Sequence, residues 1–438
     1  VKTILFELFP VKSHHLMAFK AANLLKNAEY RVVFGSMPSM EKLIRDHGFE
    51  FLYLPYCVVV PMEQHLLMQK DGIKMPDNKE CLITAHKNFA ILNTQITELK
   101  PDIVLLDKHL RPDKAFYYKR LGYQVIYICV MPDPSQFSNV PPFSSDFIPE
   151  NNFFSKKYID YLWFKKKIKG KLKFFLDSLA YPINDPRTLK NLFGELNLDL
   201  NQIRENNKAL PRIILSATDF DFPRPQEEGV YHVGPLIDFP ENDFQSTDMK
   251  YEAVKQELKK TKAPVIYCSL GTLDDFCTQK RIQFYKKIRE AALLSPNYNF
   301  VISIGDDLNN SDLLPLPRNM FIFKSLPQKD FLKYCTVMIN HGGLNSITEC
   351  IFSEVPVIAF PPSSQADHTC NAAKVIYHGI GLRGKIRRDT PSDILKKIEK
   401  IKENYDWYQK NIRKMKKKFE EKNNSTQIVE IVGRLLES

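Results

Sequence analysis

Apolar residues in this chain form short unbroken runs, separated by longer stretches in which they return every third or fourth position. "TILFELF" (3–9) is one such run; the stretch 13–27 after it carries Leu16, Phe19 and Leu24 on one helical face. "YRVVFGS" (30–36), helical 40–48 and "FEFLYLP" (49–55) continue the alternation, followed later by "PDIVLLD" (101–107), helical 112–122 and "YQVIYICV" (123–130). Strands alternating with helices predict βαβ units around parallel sheets, and strands covered on both faces read as continuous Val/Ile/Leu runs. The pattern restarts at "APVIYCSLGT" (263–272) and runs through "NFVISIG" (299–305), "MFIFKSLP" (320–327), "TVMIN" (336–340) and "VPVIAFPP" (355–362) to a charged helical tail from about 391.

Between about 131 and 190 the alternation breaks into Pro, aromatic residues and lysine. That stretch suits either an irregular insertion with its own small core or an apolar surface lining an acceptor pocket or touching a membrane. Gly-Pro at 234–235, with acidic residues after it, marks the best boundary. The expected division is 1–234, a linker at 235–250, a second Rossmann-like half at 251–415, and a terminal helix at 416–438 that returns to the first half.

At 438 residues the chain exceeds one ordinary core, in keeping with two halves. Its 62 Lys and Arg against 51 Asp and Glu leave a net charge of +11. That surplus suits an anionic substrate, an anionic membrane or simply a basic surface. The lysines gather at 165–173 and 413–419 and are not spaced as a nucleic-acid reader, so no nucleic-acid partner is expected. The eight cysteines have no CxxC spacing and mostly sit inside apolar runs; no run approaches membrane length, and the strand-like "KTILFELF" (2–9) sets the expectation of no leader. These features set the expectation of a cytoplasmic enzyme. The pattern implies no particular oligomeric state.

Candidate chemistry lies where strands give way to helices. "NHGGLNSITEC" (340–350) follows a strand and opens a helix, so N–H groups, His341, Asn345 and Ser346 converge on one small volume around Gly342 and Gly343. Such a helix start suits an anion; the bland alternative is a core histidine. Glu349, four residues past Asn345, could accept from sugar hydroxyls. "CSLGT" places Ser269, Gly271 and Thr272 at another strand end, as a phosphate turn or an ordinary one. Asp367 and His368 end a loop and suit a polyhydroxylated ligand, although an Asp there also serves as a helix cap. "GIGLRG" (379–384) matches a dinucleotide fingerprint in letters, but a helix precedes it, so its glycines read as a left-handed helix end. In "SHHL" (13–16) only one of His14 and His15 can face a reaction, as a general base. Asp107, at the end of its strand, could hold that imidazole or cap the next helix.

The run from Pro327-Gln328 through His341, Gly343, Asn345, Ser346, Glu349 and Val355-Pro356 to Asp367 and Asn371-Ala372 resembles the donor signature of the UDP-glycosyltransferase family. "PVKSHHLMAFKAANLL", "YHVGPL" and "VIYCSLGT" resemble its first loop and helix, its linker and its first donor strand. The resemblance implies a GT-B fold: α/β, with two Rossmann-like domains whose parallel sheets face across a cleft. It implies metal-free, inverting transfer of a hexose from a nucleotide sugar, a UDP-sugar above all, with no other cofactor; the apolar, aromatic stretches 55–68 and 131–175 set the expectation of a hydrophobic or aromatic acceptor. By the same resemblance His14 deprotonates the acceptor and Asp107 holds His14. Ser269, Thr272, His341, Asn345 and Ser346 bind the diphosphate; Gln328 and Glu349 the base and ribose; Asp367 and His368 the sugar. Gly271, Ser325, Leu326 and Gly343 belong to the same donor site. Ser325 stands where many members have a Trp, His368 where they have a Gln, and Ser13 where they have a Gly. An epimerase on the same fold, an inactive binding protein and a lipid-acceptor enzyme remain as alternatives.

Overall fold

A computed structural model describes residues 1–55, 78–110, 112–132, 135–180, 210–237, 249–271, 278–306, 308–362, 367–423 and 425–437; of the stretch 55–68 only residue 55 falls among them. Among the described residues the apolar runs form thirteen strands: β1 (Thr3–Glu7), β2 (Arg31–Ser36), β3 (Glu50–Tyr53), β4 (Ile103–Asp107), β5 (Gln124–Cys129), β6 (Arg212–Ile214) and β7 (Val230–His232), then β8 (Val265–Ser269), β9 (Asn299–Ser303), β10 (Met320–Phe323), β11 (Val337–Asn340), β12 (Val357–Ala359) and β13 (Gly381–Arg383). They make two sheets, in order β3-β2-β1-β4-β5-β6-β7 and β10-β9-β8-β11-β12-β13. Every pairing in both is parallel.

Alternation along each strand feeds two cores. Ile4 and Phe6 pack on one face of the first sheet with the helix Lys12–Asn27, while Leu5, Val104 and Leu106 pack on the other. The second sheet is covered in the same way on both faces. In each sheet the strand order reverses once, between β1 and β4 and between β8 and β11. Loops leaving the C-terminal ends of strands on either side of a reversal diverge and open a crevice, where α/β proteins place ligands. The register sets Glu7 beside Leu106 and Asn340 beside Ser269, so the residues just beyond these strands sit at the two crevices.

The two halves touch through several polar contacts. The helix Gln427–Glu437 returns to the first half, burying Ile428, Ile431 and Val432 in the core beneath the helix Lys12–Asn27. Asn423 accepts from the Ile237 N–H at 2.8 Å, and Lys20 donates to the Ile237 carbonyl at 3.1 Å.

Two readings of the sequence need correction. The stretch taken as irregular contains a 28-residue helix, Phe153–Ala180. Between 153 and 172 its buried and exposed apolar residues lie on two opposite sides, which blurs the single-face period that marks a surface helix. The second correction concerns "GIGLRG". Its first glycine, Gly379 (φ +63°), ends the helix His368–Tyr377, with Gly379 N–H on Ile376 O and Ile380 N–H on Val375 O, but the following residues form edge strand β13, too short to show a period.

Candidate active site

His14 sits in the first turn of the helix Lys12–Asn27, directly after β1, and Asp107 ends β4 across the reversal. His14 Nδ1 lies 2.5 Å from Asp107 Oδ2. The same oxygen accepts from the Phe9 N–H at 3.0 Å. The other oxygen takes the His109 N–H at 2.9 Å and His109 Nδ1 at 3.0 Å. Burial opposes ionisation of this fully buried carboxyl, but the two histidines and their hydrogen bonds outweigh it and hold its pKa well below the usual range. Asp107 is therefore a fixed anion that orients His14 through Nδ1 and leaves Nε2 as the free ring nitrogen. It does not cap the next helix, which begins at Pro112. His15 faces the core among Phe19 and Phe34, bonds to the Val11 carbonyl at 3.0 Å, and is kept neutral by burial.

Sequence reading missed one neighbour of this dyad and one buried charged residue at the end of the adjacent strand. His109 stands edge-on to His14, ring centres 5.0 Å apart, and no helical or strand period singled it out. Glu7, at the end of β1, accepts from Lys114 and, at 2.6 Å, from Tyr118, all three buried. Its position inside an apolar strand was the available signal. Among the described residues, His14, Asp107 and His109 are the one group whose ligand atoms, within 4.8 Å of one another, could hold a metal ion. Both histidines already use Nδ1 on the carboxylate, so a cation entering there would have to replace those two bonds.

The second crevice is built around His341, just past β11. Gly271, after β8, and Gly343 press against its ring: a Cβ on Gly271 would lie 2.6 Å from His341 Cε1, and one on Gly343 2.4 Å from Nε2. Only glycine leaves the imidazole room at both places. His368 packs edge-on at 4.7 Å. Burial, with His368 and Arg281 adding repulsion, pulls the His341 pKa down to about 3, so the ring is neutral at physiological pH. His341 Nδ1, His368 Nδ1 and Asn371 Oδ1 are buried without a hydrogen-bond partner. Such atoms in a native interior call for an explanation, and a bound ligand supplies one.

The helix Leu344–Phe352 starts here with Gly343 at its N-cap position and no side chain capping it, and Asn345 and Ser346 in its first turn are half-buried. Its leading N–H groups and positive dipole end thus have no protein cap. Gln328 donates to Glu349 at 2.6 Å and to Ser346 at 3.2 Å, and accepts from Tyr267 at 3.2 Å. Burial raises the Glu349 pKa, opposed in part by the Gln328 bond. Leu326 is buried and Ser325 exposed beside this group. Asp367 occupies the N-cap position of the helix His368–Tyr377, yet its carboxylate accepts from Asn371 at 2.8 Å rather than capping. Ser269 ends β8, half-buried. Thr272 lies outside the described residues. A cavity of about 710 Å³ elsewhere, bordered by Thr218, Arg224, Tyr231 and Arg434, contains none of these groups.

Residues 295–437 match the family model described as "Erythromycin biosynthesis protein CIII-like, C-terminal domain". An uncharacterized UDP-glucosyltransferase, YdhE, of Bacillus subtilis is 25% identical over 57% of this chain and 58% of its own. An uncharacterized glycosyltransferase of Methanosarcina acetivorans is 26% identical over 86% of this chain and 83% of its own. The solved glycotransferase of kitacinnamycin superposes with a TM-score of 0.70 at 18% identity, over 99% of both chains. The chain spans about half the length of the first curated relatives it matches. Two parallel Rossmann-like sheets of this order, together with the superposition over the whole chain, show the GT-B fold.

Proposed function

We propose that this protein transfers a hexose from a nucleotide sugar, a UDP-sugar foremost, to a hydroxyl of a hydrophobic or aromatic small molecule, with inversion and without a metal ion. The observation that carries the reading is the His14–Asp107 pair, in which a buried anion leaves one imidazole nitrogen free. Residues 1–234 take the acceptor, 251–415 the donor, 235–250 join them, and 416–438 tie the halves together. An acceptor hydroxyl has a high pKa, so His14 Nε2 removes its proton as the oxygen attacks the anomeric carbon, and Asp107 stabilises the imidazolium. The departing diphosphate gains charge as the glycosidic bond breaks. The start of the helix Leu344–Phe352, with His341, Asn345 and Ser346 and with Ser269 and Gly271 opposite, stabilises that charge where it develops, and Thr272 is assigned to the same diphosphate. Gln328 and Glu349, beside Ser325 and Leu326, bind the base and ribose; Asp367 and His368 bind the sugar. The five buried free cysteines among the described residues support a reducing, cytoplasmic setting.

The test incubates the protein with UDP-glucose, UDP-galactose and TDP-glucose against phenolic and terpenoid alcohols, following nucleotide release and product mass. His14→Ala is expected to lose about 10²–10⁴-fold in transfer while nucleotide binding by calorimetry persists. EDTA is expected to leave turnover unchanged. Nucleotide release without a glycosylated product, or full turnover by His14→Ala, would end this reading.

A further inference from the structure

The helix Phe153–Ala180 has two apolar sides. One is the ordinary inward side: Ser155, Ile159 and Trp163 are buried, and the Trp163 indole N–H donates to the Val140 carbonyl at 2.8 Å. The other carries Phe154 (82% exposed), Tyr158, Tyr161, Phe164 (60%), Ile168 and Leu172, all open to solvent. Their spacings of four, three, three, four and four residues place them on one side of a 3.6-residue helix, roughly opposite Ile159 and Trp163. This ridge runs for five turns, whereas single exposed hydrophobic residues need no explanation. Phe153, one residue before it, is also exposed.

Charge indicates what covers the ridge. Between 153 and 172 stand Lys156, Lys157, Lys165, Lys166, Lys167, Lys169 and Lys171 against the single acid Asp160. Lys157, Lys165, Lys169 and Lys171 lie along or beside the ridge by the same helical geometry. Lysine stems pack on apolar surface while their ammonium ends reach the polar layer. A ridge of rings and aliphatic side chains flanked by lysines has the make-up of a helix lying in the plane of a membrane interface. No helix among the described residues is long and apolar enough to cross a bilayer. We infer that the outer side of this helix docks the protein on an anionic lipid surface, its rings entering the headgroup layer and its lysines meeting lipid phosphates. A second copy of the same ridge is a poor occupant, because a symmetric contact would set two lysine clusters against each other. A nucleic acid would match the lysines but leave the apolar ridge in water.

The experiment sediments the full chain with vesicles of phosphatidylcholine alone and with vesicles containing about 30% phosphatidylserine. Binding is expected only to the second, and is expected to fall as salt rises. Phe154→Ser with Phe164→Ser, and separately Lys165→Gln with Lys169→Gln and Lys171→Gln, are each expected to weaken it at least tenfold. All five side chains are exposed, so unchanged circular dichroism and thermal melting should accompany the loss. Equal binding to both vesicle types, no binding to either, or unaltered binding by both variants overturns the inference. So does a dimer in sedimentation velocity that the ridge variant abolishes while vesicles capture nothing.

Discussion

At the scale of single residues, the candidate base works through the acceptor side of one carboxylate. Asp107 receives four contacts, two on each oxygen, and its carboxylate plane is set by all of them. His109 supplies two of these, so it positions the carboxylate that positions His14. Replacing it by Leu removes a donor to a charged acceptor, a loss worth about 1.5–3 kcal/mol. His109→Leu is therefore expected to lower kcat at least tenfold while KM for the nucleotide sugar stays put. His109→Asn, whose side-chain N–H can take the place of Nδ1, is expected to restore most of the rate; steady-state kinetics on the pair decide it, and a Leu variant with full kcat removes His109 from this role. His14 and Asp107 were legible in the sequence because each lies at or just past the end of an apolar run that had to be a strand. His109 was not, since a histidine two residues past a strand end is common and only the fold turns it inward.

At the scale of elements, each crevice is made by the turns that leave the C-terminal ends of strands. The turn after β11 must bring His341 against the turn after β8, and glycine is the residue that permits it. Gly343→Ala would set a methyl 2.4 Å from His341 Nε2, where overpacking costs about 1–3 kcal/mol. UDP affinity, measured by calorimetry, is expected to drop about tenfold or more. Gly170→Ala, with nothing within 4 Å, is the control and is expected to bind normally. Unchanged affinity in Gly343→Ala would show that the ring does not need its present place. Elements with one period were easy to read, as the helix Lys12–Asn27 and the strands of both sheets show. The helix Phe153–Ala180 was not, because its two opposed apolar sides cancel the period, and β13 was not, because three residues carry none.

At the scale of the whole molecule, the halves are pinned by a buried charge cluster. Lys374, on the helix that begins beside Asp367 and His368, lies fully buried 3.0 Å from Asp221 of the first half, which also pairs with Arg224 at 2.6 Å. Phe143, Phe220 and Phe222 stand within 5.9 Å of the Lys374 ammonium. Removing Asp221 would leave the Lys374 ammonium buried away from water without its carboxylate. Asp221→Ala is expected to cost about 3–5 kcal/mol, seen as a lowered Tm, and Asp221→Leu with Lys374→Met to recover much of it. A melting curve for Asp221→Ala that overlays the wild type would mean the cluster does not hold the halves.

The sequence by itself determined most of the strands, the parallel pairing they adopt and the run that resembles a glycosyltransferase donor signature, since each rests on spacing between near neighbours. Tertiary structure alone decided which of the alternatives open to each group is realised. His14 meets Asp107 across 93 residues, and Lys374 meets Asp221 across the two halves. Local patterns carry no record of such pairs, because the strand order that creates them is settled by how whole elements bury their faces together.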